Sequence, residues 1–177
     1  MDVNSKVALL THKGNLSEIQ IAACQIIPQG INLALTIREL VRQGYLFGAL
    51  VLVRSLIERV AVISYLQRNP DEIRIWKDGW KYKERPSLEK MLNTMSDSKF
   101  SNEIREDIAE LNHITHGDPV GSKWNLIPLS DGTMGYSSGK VINDPDLCDY
   151  ICVKSYLFLI VLMGLMATTF PEKCEID

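Results

Sequence analysis

The stretch Tyr45–Asn69, YLFGALVLVRSLIERVAVISYLQRN, decides the fold. It holds about seven helical turns and is apolar on most sides. A helix of this kind belongs at the centre of a molecule, buried by neighbours nearly all round. Asn69-Pro70 marks its end, because proline disfavours the helical conformation in the residue before it.

Working outward, the neighbours also read as helices. GNLSEIQIAACQIIPQG offers Asn15 or Ser17 as a cap and predicts a short helix that Pro28 and Gly30 interrupt. INLALTIRELVRQG then predicts a second helix stopped by Gly44, since glycine accepts the left-handed turn at a helix end. Downstream, Pro70-Asp-Glu is a favourable first turn, and Trp76, Trp80 and Tyr82 fall along one face of the segment it opens. Pro86-Ser87 starts a helix with Leu88, Met91, Leu92 and Met95 on one stripe. Ser101 or Asn102 caps another, lined by Ile104, Ile108, Leu111 and Thr115.

From 118 to 143 the pattern breaks. Four glycines lie there, and Asp131-Gly132 stands between apolar residues, the signal for a small hairpin or ordered loop. A last long helix runs from Asp144-Pro145 to a stop at Pro171. Its uncharged run, Tyr156 to Phe170, is fifteen residues, short of the ~20 that span a bilayer. A core helix and no membrane partner are therefore expected. With no internal repeat and no linker, residues 1–177 read as a single all-α domain: an antiparallel helical bundle with a small loop or hairpin insertion before the last helix.

Composition narrows the class. Hydrophobic residues make up 46% and charged residues 23%, which excludes a disordered chain. The net charge of −3 gives no bulk attraction for phosphate backbones, so a nucleic-acid partner needs a local basic patch. The four cysteines, Cys24, Cys148, Cys152 and Cys174, show no CxxC spacing. No signal-peptide pattern is read at the start, and reduced thiols in the cytoplasm are expected. Cys148 and Cys152 share a helix face, where small buried hydrophobes are the plain reading.

Chemistry has few places to sit. Within the central helix Arg54 and Glu58 are four apart among apolar neighbours, where charges are costly unless paired or set at a cleft. They read either as a structural tie to a neighbouring helix or as the lining of a polar pocket. LNHITHGDP, residues 111–119, holds His113 and His116 three apart on one helix face, with Asn112 and Asp118 placed to orient an imidazole. Histidines in a last turn also serve simply by bonding free carbonyls there. A metal site lacks a third ligand, and neither HExxH nor CxxC is present, so no metal and no cofactor is expected. His12 reads as a solvated loop residue. Phosphate-binding glycine loops and the GxSxG elbow are absent. Lys77, Lys81, Lys83 and Arg85 interleave with Trp76, Trp80 and Tyr82; such a mixture either stacks bases and holds phosphates or forms an ordinary half-buried helix with solvated lysines.

The run GALVLVRSLIERVAVISYL, followed some fifty residues later by a helix ending LNHITHG, resembles the bacterial helical proteins of the DUF5677 family. These look related to the wider HEPN-like superfamily of toxin–antitoxin and phage-defence systems. The resemblance covers roughly residues 45–118 and maps onto Arg54, Glu58 and His116, with Gly117 as the stop. It implies a metal-independent ribonuclease. In active HEPN ribonucleases an arginine and a histidine at a short fixed spacing form the site, usually across a dimer. Here Arg105 and His113 have seven residues between them, one too many. The geometry the resemblance then implies brings Arg54 and Glu58 to His116, with His113 beside it. The expected partners are a second copy of the chain and either RNA or a partner protein. The alternative is a non-enzymatic interaction or dimerisation module in which the same cluster is structural.

Overall fold

A capping box opens the first helix. Ser17 Oγ accepts from the Gln20 amide at 3.4 Å while Gln20 Oε1 accepts from the Ser17 amide at 2.9 Å, so two donors that the helix leaves unpaired are satisfied reciprocally. In this computed structural model residues 16–81, 83–95, 98–116 and 118–171 are described. The readings made at His12, Tyr82, Gly117 and Cys174 lie outside them.

Helix α1 runs without a break over Glu18–Arg42. The expected interruption at Pro28 and Gly30 does not occur. Pro28 costs the helix one backbone bond, but it faces outward, while Ala22, Ala23, Ile26, Ile27, Gly30 and Ile37 form a buried stripe continuing past it. Packing along that stripe outweighs the local penalty. Gly30 contributes through its size, since a β-carbon there would lie 2.5 Å from Leu162 Cδ2. At the C-terminus, Gly44 has φ +76°. Tyr45 N donates to Leu40 O at 2.9 Å and Gly44 N to Val41 O at 3.0 Å, the paired bonds of a Schellman end.

Helix α2, Leu46–Arg68, buries thirteen of its residues and packs against the helices that precede and follow it. The central position read from its composition is the one it occupies. The short α3, Glu72–Lys77, and α4, Leu88–Asn93, come next. Ser87 caps α4 by accepting from Lys90 N at 3.1 Å. Helix α5 spans Ser98–Thr115, beginning ahead of the expected caps at Ser101 and Asn102. Several serines and asparagines in that stretch offer equivalent caps. Its buried line is Ile104, Ile108, Leu111 and Ile114, with Ile114 in the place expected for Thr115.

The insertion comprises a single turn, α6 (Pro119–Ser122), a 3-10 turn and a hairpin of β1 (Leu126–Pro128) with β2 (Met134–Tyr136), antiparallel with Leu126 opposite Tyr136. Asp131-Gly132 makes its turn as expected: Gly132 has φ +82°, and Asp131 Oδ1 accepts from Thr133 N at 3.0 Å and Thr133 Oγ1 at 2.6 Å. Those bonds hold the Asp131 carboxyl below its ordinary range. Two docking points fix the insertion. Gly121 sits where a β-carbon would come within 2.7 Å of His113 O, and Ile142 N donates to Gly44 O at 2.9 Å.

Asp144 caps the last helix, α7 (Pro145–Thr169), accepting from Leu147 N at 3.0 Å. Helix α1 lies antiparallel to α2 and to α7, as shown by the Gln29–Arg59 bond and by Gln20 and Gly30 meeting Thr169 and Leu162. Ile151, Phe158, Leu162 and Met166 bury one stripe of α7. Yet only 22% of its most apolar window is buried, and Val153, Tyr156 and Ile160 are exposed. The core-helix expectation describes one face of α7 and not the other. The fold is all-α, a helical bundle with a small hairpin before its last helix.

Candidate functional site

The central helix carries its charges on one side. Glu58, only 19% exposed, receives three guanidinium groups. Arg54 lies one turn back with Nη1 3.4 Å from Glu58 Oε2, Arg85 reaches in from the segment after α3 to Glu58 Oε1, and Arg59 Nη1 stands at 4.0 Å. One carboxylate cannot neutralise three cations, so the row keeps a net charge near +2. Arg54, Glu58 and Arg59 are part-buried, which leaves their field less screened than on an open surface, while Arg85 is exposed.

Arg54 also crosses to α5. Its Nε donates to Asn112 Oδ1 at 2.8 Å. The central helix therefore meets the histidine-bearing helix, but through Asn112 and not through an imidazole. His116 lies one turn beyond Asn112 and is exposed, and no side-chain partner for it is found among the described residues. His113, also exposed, has Nδ1 3.0 Å from Asp118 Oδ2. Asp118 thus orients an imidazole, as its position suggested.

Two clefts open on either side of the arginine row, each of about 330 Å³. The first is lined by Arg54, Glu89, Leu92, Arg105, Ile108 and Asn112. There Arg105 Nε is buried with no acceptor among the described residues. The second is lined by Gln29, Arg59, Val62, Trp76, Trp80 and Arg85. There Trp80 Nε1 is likewise buried and unpartnered. A buried donor without an acceptor is uncommon in folded proteins, and here a residue lining each cleft carries one.

Of the basic segment, Lys77 Nζ is tied to Glu18 Oε1 at 2.8 Å and Arg85 to Glu58, while Lys81 and Lys83 are exposed. Reading the sequence did not single out Arg59 or Gln29, it weighed Arg105 only as a partner for His113 and set that pair aside on its spacing, and it gave Asn112 a different task. A signal was present for two of them. Arg105, Ala109 and Asn112 are spaced 4 and 3 apart, so they share a helix face. Arg59 and Gln29 carry no such mark, because their pairing depends on how α1 crosses α2.

Elsewhere Asp107 on α5 accepts from Tyr150 OH at 3.0 Å and Lys154 Nζ at 2.6 Å. Lys154 also stands 5.5 Å above the Tyr150 ring. Burial first, and then the Asp107 charge, push the Tyr150 phenol well above its ordinary value. Burial also raises the Cys24 thiol, and burial with the neighbouring Cys148 raises Cys152. Among the described residues no three His, Cys, Asp or Glu side chains gather as a metal site.

No curated protein and no solved structure matches the chain. The profile of a family of unknown function matches residues 20–141, which take in both clefts, the arginine row and both described histidines but stop short of α7. The chain belongs to that family, DUF5677.

Proposed function

We propose that this is a HEPN-like cytoplasmic protein of a bacterial defence or toxin–antitoxin system, acting on RNA without a metal. The observation that carries the reading is the cationic row with its unsatisfied neighbour: three guanidinium groups share Glu58 beside a cleft where Arg105 Nε has no acceptor among the described residues. A phosphate diester supplies both the charge and the acceptor that this arrangement lacks. Arg54 and Arg105 hold the phosphate, and Asn112 keeps Arg54 in place. His116, one turn along from Asn112, acts as general base and acid. It takes the 2′-hydroxyl proton as that oxygen attacks the neighbouring phosphorus and returns a proton to the departing 5′-oxygen, while the arginines stabilise the charge gathered on the phosphoryl oxygens. His113 and its partner Asp118 flank the same helix end. Glu58 sets the arginines in place, and Lys81 and Lys83 extend the basic track for the strand.

The test is His116→Ala. RNA cleavage, or toxicity on expression, is lost, while helical content and melting temperature stay nearly unchanged because the imidazole is exposed. Full activity in that variant would end the reading.

One observation favours a second reading. Val153, Tyr156 and Ile160 present an apolar stripe on α7, the kind of face through which a non-enzymatic module pairs with a second copy or a partner protein. Under that reading the arginine row is a structural tie, and His116→Ala changes no activity. Light scattering on purified Tyr156→Lys and wild-type protein separates the two: a dimer that dissociates on substitution, together with absence of cleavage, favours the module.

A further inference from the structure

The cleft on the α1 side of the arginine row has a one-sided chemistry. Arg59 Nε donates to Gln29 Oε1 at 3.0 Å. Because guanidinium nitrogens only donate, this fixes the amide with its oxygen toward Arg59 and leaves the Gln29 NH₂ free to donate. Trp80 Nε1 is a second donor, buried and unpartnered among the described residues. The guanidinium groups of Arg59 and Arg85 supply the rest. Among these groups every polar side-chain atom left available to a ligand is a donor, and the oxygens of Glu58, the partner of Arg85, are taken by the arginines. Two indoles, Trp76 and Trp80, line the same space, and Tyr65 braces Trp80 edge-on with ring centroids 6.4 Å apart. The volume of about 330 Å³ is at the small end for ligand pockets, which run from about 300 to 1,000 Å³.

A ligand for this cleft is planar, anionic at one end and rich in acceptors along one edge. We propose that it is a specificity pocket for one unpaired ribonucleotide with a keto base, uracil or guanine, stacked on Trp76 with its edge toward Trp80 and its phosphate on Arg59 and Arg85. On the side away from their ring N–H groups uracil offers O4 and guanine offers O6 beside N7, acceptors that donors alone can read. Adenine places its amino group beside N1 and N7, setting a donor against a donor. Aromatic stacking supplies affinity for any base, so the discrimination falls to Trp80 N–H and the Gln29 amide. The inference rests on the RNA reading for the strand that carries the base, and it adds which nucleotides that strand presents.

The full chain, labelled with ¹⁵N, is titrated with uridine, guanosine and adenosine 5′-monophosphates, with inorganic phosphate, and with a short oligouridylate. Three tryptophans give three indole N–H signals, and Trp80→Phe identifies one of them. Uridine and guanosine monophosphates shift the Trp80 signal downfield and saturate about tenfold more tightly than adenosine monophosphate, the effect of one hydrogen bond to a buried donor. Phosphate alone leaves the signal in place, and Trp124 does not respond. Tighter binding of the oligouridylate assigns the nucleotide to a strand, and equal binding assigns it to the free pool; either supports the pocket. Trp80→Phe loses the preference over adenosine, and the exposed Gln29→Glu, which turns a donor into acceptors, weakens binding of the uridine nucleotide in a chain that still folds. The proposal is overturned by equal affinity for adenosine monophosphate, by phosphate reproducing the shift, by a preference that survives both substitutions, or by no response at millimolar nucleotide. Binding here needs no turnover. A silent cleft thus removes the pocket and leaves the cleavage reading standing, whereas loss of the cleavage reading through His116→Ala leaves these titrations unaffected.

Discussion

Arg54 Nε donates to Asn112 Oδ1 at 2.8 Å, joining the central helix to the helix that carries both described histidines. The bond is part-buried, so removing its acceptor leaves a charged donor short of a partner where water enters poorly. Asn112→Ala is expected to cost about 1–3 kcal/mol of folding stability, measured by urea unfolding. Asn112→Asp behaves differently. It keeps an acceptor for Arg54 and so keeps the fold, but its charge cancels part of the row and lowers affinity for oligoribonucleotides. If Asn112→Ala unfolds like the wild type, the bond makes no net contribution.

Glu58 holds three guanidinium groups that otherwise repel one another. Glu58→Gln removes the charge and preserves the shape. The expected result is a loss of about 1.5–3 kcal/mol, the range for hydrogen bonds to charged groups, shrinking in molar salt as the arginines are screened from each other. A loss independent of salt would instead point to packing around the side chain.

Asp107, Tyr150 and Lys154 fasten α5 to α7 with a testable pH signature. The folded-state value of the Tyr150 phenol is raised, by burial first and then by Asp107 and Glu110. A neutral phenol favoured by the fold contributes stability in full below the unfolded tyrosine value of about 10. That contribution is lost as pH rises from there through the folded value. Stability should therefore decline above pH ~10, and phenolate absorbance should keep growing past the ordinary tyrosine range. Tyr150→Phe should remove one phenol from that late component, while Tyr65, raised by burial and by Glu72, remains in it. A late component of unchanged size in Tyr150→Phe would show that Tyr150 is not held neutral by the fold.

What the sequence made legible follows from the range of the interactions involved. The Ser17, Ser87 and Asp144 caps, the Gly44 end and the Asp131-Gly132 turn are settled within a few residues, and each could be read. The central place of α2 was legible because a helix apolar nearly all round has nowhere else to go. The Arg54–Glu58 pair was legible from its spacing of four. Its other partners were not, since Asn112 lies 58 residues away and Arg85 27, and their approach depends on helix crossings that no local pattern encodes. The same holds for the two clefts, which are spaces left between helices and not properties of any one of them. The exposed face of α7 was misjudged for a related reason: being apolar all round predicts burial only where neighbours exist to supply it.

The continuity of α1 through Pro28 gives the last prediction. Pro28 is exposed in the middle of a helix, and its ring denies the Cys24 carbonyl a backbone donor. If the buried stripe alone carries the helix past this point, Pro28→Ala restores the missing bond. The gain approaches the ~3 kcal/mol that separates proline from alanine in helix interiors, less about 0.4–1 kcal/mol for the freedom the unfolded chain regains. Gly30→Ala, two residues on, improves propensity in the same way by about 1 kcal/mol. There, however, the new β-carbon meets Leu162 Cδ2 at 2.5 Å on a fully buried side chain, and overpacking of that kind costs about 1–3 kcal/mol. The two alanines should move the melting temperature in opposite directions, upward at 28 and downward at 30. Should Pro28→Ala instead destabilise the protein, the proline is setting a bend that the contacts of α1 with α2 and α7 require, and the stripe is not sufficient by itself.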